Sequence, residues 1–148
     1  MTDHPQRTQA DHRPYVELVR LALLLKDVHI GVPVVSPGRL RSAAMTVLPP
    51  DEDFDDPWHP TFANVERLEL RWSEEDGWSL LAAYLRGQAG PTIWRRGFGV
   101  LLAPEEVAGW LDVLLTMPHA APSREDGPFR SHQQHDHAFE AALAAYGH

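Results

Sequence analysis

The sequence predicts an α+β fold: an antiparallel sheet of about four strands with a central hairpin, flanked by an N-terminal helix and a C-terminal-side helix, plus a helical tail, in the order α-β-β-β-β-α-α. Three stretches carry that prediction. Residues 65–86 read as two strands around Glu74-Glu75-Asp76-Gly77, with Leu68, Leu70 and Trp72 alternating with Arg67, Glu69 and Arg71. Alternation with period two marks a strand with one buried face, and Asp-Gly suits a tight turn because glycine accepts positive φ. Residues 104–115 place Val107, Trp110, Leu111, Leu114 and Leu115 along one helical face behind Pro104. Residues 14–26 set Tyr15, Leu18, Val19, Ala22, Leu25 and Lys26 at helical spacing behind Pro14.

The chain's 148 residues are one domain's worth, enough for a real core without covalent staples. It has no cysteine, which excludes disulfides, thiol catalysis and thiolate zinc sites. The formal net charge of −8 argues against a broad phosphate-neutralising surface, so nucleic acid is not an expected partner. The first thirteen residues, MTDHPQRTQADHR, lack the apolar run of a secretory signal. No stretch approaches the roughly 20 apolar residues of a membrane span. A cytoplasmic protein without a membrane partner is expected.

Taken in order, residues 1–13 read as a disordered arm in which His4 and His12 are solvated. The domain proper runs over 14–117. Its first helix buries Leu18, Ala22 and Leu25, with Leu21, Leu23 and Leu24 widening the stripe, and stops near Gly31. Residues 32–35 contain Pro33 and allow an edge strand at best, since proline cannot donate to a ladder. Ser36-Pro37-Gly38 turns the chain into a strand over 39–48, strongest from Ala43 to Leu48, with Val47 in the core. An acidic loop follows from Asp51 to Phe62. Asp51, Asp53 and Asp55 imitate the start of a calcium loop, but Asp56 stands where glycine is needed and Phe62 where glutamate is needed.

In the hairpin, Trp78, Leu80, Ala82 and Tyr84 share a face, while the other face carries Ser79, Leu81, Ala83 and Leu85. A strand apolar on both sides suits a central position covered on two faces. Core packing is the plain reading of Trp72 and Trp78, and an aromatic ligand platform the sharper one. Residues 92–102 read as one strand kinked at Gly97-Phe98-Gly99. The helix from Pro104 has Glu105 and Glu106 on the favourable end of its dipole and ends at Met117-Pro118. Residues 118–130 read as a linker and 131–148 as a helical tail.

Candidate functional residues are few. Phe54 and Trp58 of the acidic loop are candidate partner contacts, and so is the tail seam of Phe139, Leu143 and Tyr146, which docks either on this domain or on a partner. His132, His135 and Asp136 share a face on a helical reading, beside His137, and could hold zinc or nickel with outside ligands. Arg86, Arg95 and Arg96 form a basic cluster, read first as a solvated face or as partners of Glu66 and Glu69. Phosphate-cradling GxxxxGK[ST], GxGxxG, HExxH and GxSxG patterns are all missing.

Tyr15-Val16-Glu17-Leu18-Val19, the run Leu70 to Trp78 (LRWSEEDGW) and the run Ala103 to Leu111 (APEEVAGWL) together resemble an uncharacterised actinobacterial domain-of-unknown-function family. The resemblance implies a small α+β domain and carries over no catalytic residue, because that family has no assigned activity. The acidic loop and the His-rich tail look like additions to its pattern. The expectation is therefore a non-enzymatic adaptor, chaperone-like or regulatory subunit. It would bind a protein partner or a second copy through the loop or tail, without a cofactor. A metal-dependent enzyme using the tail histidines is the alternative, and nucleic-acid contact through the arginine cluster a weaker one.

Overall fold

The computed structural model describes residues 10–38, 40–50, 58–84, 92–97, 99–121 and 136–147. Helix α1 (Arg13–Leu25) leads into strands β1 (Val34–Ser36), β2 (Ser42–Thr46), β3 (Val65–Ser73), β4 (Gly77–Tyr84) and β5 (Thr92–Arg95), followed by α2 (Pro104–Thr116) and α3 (His137–Ala145). The strands form one antiparallel meander in the order β1-β2-β3-β4-β5. The expected α+β order holds, with five strands rather than four. The extra strand is the edge segment after Pro33, which pairs Val34 with Ala44 and Val35 with Ala43.

Register makes the core. Met45 pairs with Leu70, Leu70 with Leu80 and Leu80 with Trp94, so one apolar row crosses four strands. The neighbouring row joins Ala43, Trp72 and Trp78. Both tryptophans are 1% exposed, the core placement that the alternation implies. Val107, Trp110, Leu111 and Leu114 of α2 join the same cluster, as expected, together with Leu68, Ala82 and Val47.

On α1 the buried face differs from the expected one. Tyr15, Val16, Val19 and Leu23 are buried, whereas Leu18, Leu21, Leu24 and Leu25 are 38%, 51%, 39% and 85% exposed. Ala22 is only partly buried. A helix apolar almost all round does not specify its own rotation. Tyr15 supplies it, because its hydroxyl has fixed partners beneath the helix. The helix also stops earlier than Gly31. Asp27 takes a positive φ of 62°, with Val28 N–H donating to Leu23 C=O and Asp27 N–H to Leu24 C=O, both at 3.0 Å. That is a Schellman termination with aspartate where glycine is usual. Val28 and Leu23 are both buried, as the motif's apolar contact requires.

Two further expectations change. β5 ends at Arg95, and the chain swings off the sheet through Gly97 and Gly99, so residues 100–102 are not strand. Val100 and Leu102 stay buried there. The tail is part of the domain: Phe139 and Leu143 of α3 are buried in the common core, and Tyr146 lies with its ring 4.8 Å from that of Tyr15. The stretch before α1 is likewise anchored, with His12 only 1% exposed rather than solvated. Its ring stacks 5.4 Å from that of Trp72.

Gly77, at the end of the hairpin turn, has a φ of +75°, and a Cβ there would sit 2.6 Å from the Gly99 carbonyl oxygen. The opposing backbone, not a flexible side chain, closes that space. Gly77→Ala is therefore expected to cost at least about 1–3 kcal/mol, from strain plus displacement of the Gly99 segment. Asp27→Gly is expected to stabilise by up to about 1 kcal/mol by relieving left-handed backbone. Urea unfolding of the two variants beside the parent checks both, and opposite signs are the expected outcome.

Candidate functional site

The most polar feature of the interior is an ion network around Arg41. Arg41 is 2% exposed and Glu74, in the hairpin turn, 0%. Glu74 is held against the Arg41 backbone: its N–H donates to Arg41 C=O at 3.0 Å, and Arg41 N–H donates to Glu74 Oε2 at 2.6 Å. Arg41 Nε donates to Glu74 Oε2 at 2.9 Å and Nη2 to Oε1 at 3.1 Å. On the other side Nη1 donates to Glu140 Oε1 at 2.9 Å and to the Ala10 carbonyl at 2.8 Å, and Nη2 to Glu140 Oε2. Glu140 also accepts from Ala10 N–H at 2.8 Å. The guanidinium has five N–H bonds, and all five are engaged. No donor remains for a ligand, so the network is a clamp between chain segments rather than a binding centre.

Its electrostatics follow from that geometry. Burial works against the Arg41 charge, but hydrogen bonds to Glu140 and Glu74 outweigh it and raise the pKa. Burial likewise works against Glu140 ionisation, and the bonds from Arg41 and Ala10 outweigh it, holding the carboxyl below its ordinary value. His12 is pushed below its ordinary 6.5 by burial, against the opposing effect of its Nε2 contact with the Ser42 carbonyl; Arg41 adds to the lowering.

The aromatic centre is equally saturated. Trp78 Nε1 donates to Tyr15 Oη at 2.9 Å, and Tyr15 in turn donates to the Leu102 carbonyl at 2.6 Å. Trp72 Nε1 donates to the Val100 carbonyl at 2.9 Å. Burial raises the Tyr15 phenol pKa far above its ordinary value, so it stays a neutral donor. The tryptophans' polar atoms are spent on the protein's own backbone and on Tyr15. An aromatic ligand platform is ruled out for these two rings.

The sequence-derived candidates scatter. Phe139 and Leu143 are inside the chain's own core, and Tyr146 is half-buried on Tyr15, so the tail seam is occupied at home. Trp58 is half-buried, 6.4 Å from the Phe62 ring, at the edge of a cavity of about 270 Å³ between the ends of α1 and α2. Phe54 lies outside the described residues, as do His132, His135 and Arg86. Asp136 caps α3, accepting from Phe139 N–H at 3.1 Å. No group of three or more histidines, cysteines or carboxylates among the described residues could hold a metal ion. Nor is any helix among them long and apolar enough to cross a membrane.

Arg95 and Arg96 part company. Arg96 turns to Glu106 at 3.9 Å, while Arg95 lies on the sheet face away from the core. Glu69 is engaged by Arg67 at 3.4 Å and Arg71 at 2.9 Å rather than by Arg95 or Arg96.

Two outward surfaces emerge that sequence reasoning missed. One is the leucine stripe of α1. Leu18, Leu21 and Leu25 repeat at three and four residues and point away from the buried Tyr15–Val19–Leu23 face. The second is the face of the sheet turned away from the core, a concavity of about 450 Å³ lined by Ser42, Ala44, Ser79 and Leu81 and carrying Arg71, Arg95, Glu69 and Asp76. Arg71 was legible only as a charge facing solvent, because register alone puts it beside residues of other strands. No protein-family model, curated protein or solved structure matches the chain.

Removing the Arg41 side chain takes from buried Glu74 the guanidinium that both its carboxylate oxygens accept from. Arg41→Ala is expected to cost about 3–5 kcal/mol, as for other buried pairs that lose one member. The pH dependence has one sign. The folded chain leaves His12 neutral and Glu140 ionised more readily than the unfolded chain does, so it binds fewer protons on the acid side. Stability contributed by His12 is complete above pH 6.5 and is lost as pH falls below it. That from Glu140 is complete above its ordinary 4.5 and is lost on further acidification. Chemical denaturation between pH 7 and 3.5 should show a two-stage decline, with His12→Gln flattening the upper stage and Glu140→Gln the lower.

Proposed function

We propose that this chain is a non-enzymatic, cytoplasmic protein-interaction module that docks an apolar helix of a partner on the outer face of α1. The carrying observation is the exposed stripe of Leu18, Leu21 and Leu25, flanked by Leu24. Four leucines on one surface helix form the kind of contiguous apolar patch that marks an interface. Spacings of three and four residues match the knobs that one helix offers another. The inner face of α1 is pinned to the sheet, so the stripe is presented rigidly and binding orders little of this chain. Burying these leucines in a helix pair is favourable by about 25 cal/mol per Å² of apolar surface removed from water.

The saturated polar groups of the interior favour the same reading. Arg41, Tyr15, Trp72 and Trp78 have their donors committed to the fold, so none of them is poised for acid–base or nucleophilic work. A second copy of the chain is the simplest partner, through an antiparallel α1–α1 contact. A different helical protein fits the same stripe.

A photo-crosslinking amino acid placed at Leu21 should capture one discrete protein in the cell, either a second copy or a heterologous chain. The same group at exposed Glu105 should capture none. Leu21→Glu with Leu25→Glu should stay folded, because both sites already face water, and should abolish the crosslink from position 18. Absence of any specific product from positions 18 and 21 would remove this function.

A further inference from the structure

The open sheet face carries a second arrangement, on the other side of the molecule from the core-facing side chains of the sheet. Strand pairing sets Arg71 opposite Ser79 and Ser79 opposite Arg95. The two arginines thus flank a serine across three adjacent strands, about 10 Å apart at their Cα atoms from ordinary strand spacing. The row continues through Ala44 to Val34 on the β2 side. Next to it lies an apolar pair, Leu81 opposite Ile93, with Ile93 46% exposed. Ser36, Ser42, Ser73, Asp76 and Glu69 also line it. Ser73 Oγ accepts from Asp76 N–H at 3.0 Å and so belongs to the turn.

The charges of this concavity are balanced, on a chain that is acidic as a whole. The protein has a net charge of −8. The concavity is lined by two guanidiniums, of Arg71 and Arg95, and two carboxylates, of Glu69 and Asp76, with Arg67 beside it on β3. Glu69 is shared between Arg67 and Arg71, so neither arginine has a carboxylate to itself. Arg95 makes no ion pair or side-chain hydrogen bond with any other described residue. Small side chains, Ser79 and Ala44, leave room between and beside the guanidiniums.

We propose that the Arg71–Ser79–Arg95 row is a carboxylate cradle that receives an acidic segment of a partner polypeptide. A glutamate or aspartate side chain would enter between the guanidiniums, which match a carboxylate bidentately. An apolar residue of the same segment would cover Leu81 and Ile93. The concavity is open and extends across five strands, so it follows a polypeptide better than a small molecule, which is normally enclosed over most of its surface. Single-stranded nucleic acid needs aromatic side chains for base stacking, and the lining of this face has Trp72 only by its backbone side, its ring being buried against His12 and Trp78. The cradle is independent of the α1 stripe, and either surface can exist without the other.

The test uses the full chain and two synthetic eight-residue peptides, one alternating glutamate and leucine and one with glutamine in place of glutamate. Binding is read by fluorescence anisotropy, and the site by amide chemical shifts. The glutamate peptide is expected to bind at least tenfold more tightly than the glutamine peptide, to shift Ser79, Leu81 and Ile93, and to weaken several-fold as salt rises from about 50 to 200 mM. The variant R71Q/R95Q, at side chains outside the core, should keep the parent's circular dichroism and lose tenfold or more in affinity. Leu21→Glu on α1 should leave the peptide affinity unchanged. Equal binding of both peptides, shifts confined to other elements, or full affinity in a folded R71Q/R95Q would overturn the cradle. Inorganic phosphate that saturates the same shifts at low millimolar concentration, with the peptide unable to compete, would overturn the polypeptide occupant in favour of a small anion.

Discussion

The fold turns on the Tyr15 hydroxyl. It accepts from the Trp78 indole and donates to the Leu102 carbonyl, so one buried oxygen joins α1, the second strand of the hairpin and the connection into α2. A buried hydroxyl without partners is costly, which makes this position an all-or-none condition on packing. It fixes the rotation of a helix whose apolar composition would tolerate several. Trp72, one row over, repeats the device on Val100. Together the two indoles and the phenol convert an irregular segment, residues 100–102, into a strip of satisfied carbonyl acceptors. That segment leaves the sheet through Gly97 and Gly99, both at positive φ, and its Val100 and Leu102 carbonyls accept from Trp72 and Tyr15. Outward leucines on α1 are the consequence of the same constraint.

Arg41 imposes a second condition over longer chain distances. From just before β2 it reaches Ala10 ahead of α1, the hairpin turn and α3, with sequence separations of 31, 33 and 99 residues. Buried ion networks seldom add net stability over an apolar filling, because desolvation offsets most of the attraction. Their effect is on uniqueness: a misplaced α3 takes Glu140 from the Nη1 and Nη2 groups of buried Arg41, which donate to it here. Phe139 beneath the guanidinium, 5.4 Å from ring centroid to Cζ, couples the apolar docking of α3 to the ionic one. The clamp explains why the tail belongs to the domain although a proline-containing stretch separates it from α2.

Legibility in the sequence tracked how local the determining physics is. The hairpin was readable because alternation, an Asp-Gly turn and two facing tryptophans all lie within twenty-odd residues. The α2 face was readable because Val107, Trp110, Leu111 and Leu114 share one stripe with polar residues elsewhere around the helix. The α1 face was not, since Leu18 and Leu25 fit a helical stripe as well as Val16 and Leu23 do. What separates them is a hydroxyl partner on another strand, which no spacing encodes. Glu74 looked like one of three interchangeable turn acids, and only the approach of Arg41 distinguishes it from Glu75 and Asp76. The Arg95–Arg96 pair divides for a reason that is local to the strand. Neighbours along a strand face opposite ways, so Arg95 gains Arg71 across the sheet while Arg96 turns towards α2.

These constraints bear directly on what the surface can do. A leucine stripe on a freely rolling helix would fold inward and vanish into the core; on α1 it stays outside because Tyr15, Val16, Val19 and Leu23 already fill the inward side. In the same way Arg71 and Arg95 project from paired strands rather than from loops, so their separation is fixed by the ladder. Binding surfaces built on regular elements lose little conformational freedom when a partner arrives. The stripe and the sheet face also differ in chemistry, one apolar and the other carrying charged side chains of both signs. A partner suited to one is poorly suited to the other, because unpaired charge against leucine and apolar surface against free guanidinium both carry desolvation costs. The fold therefore keeps two surfaces that discriminate between partners without either having to move.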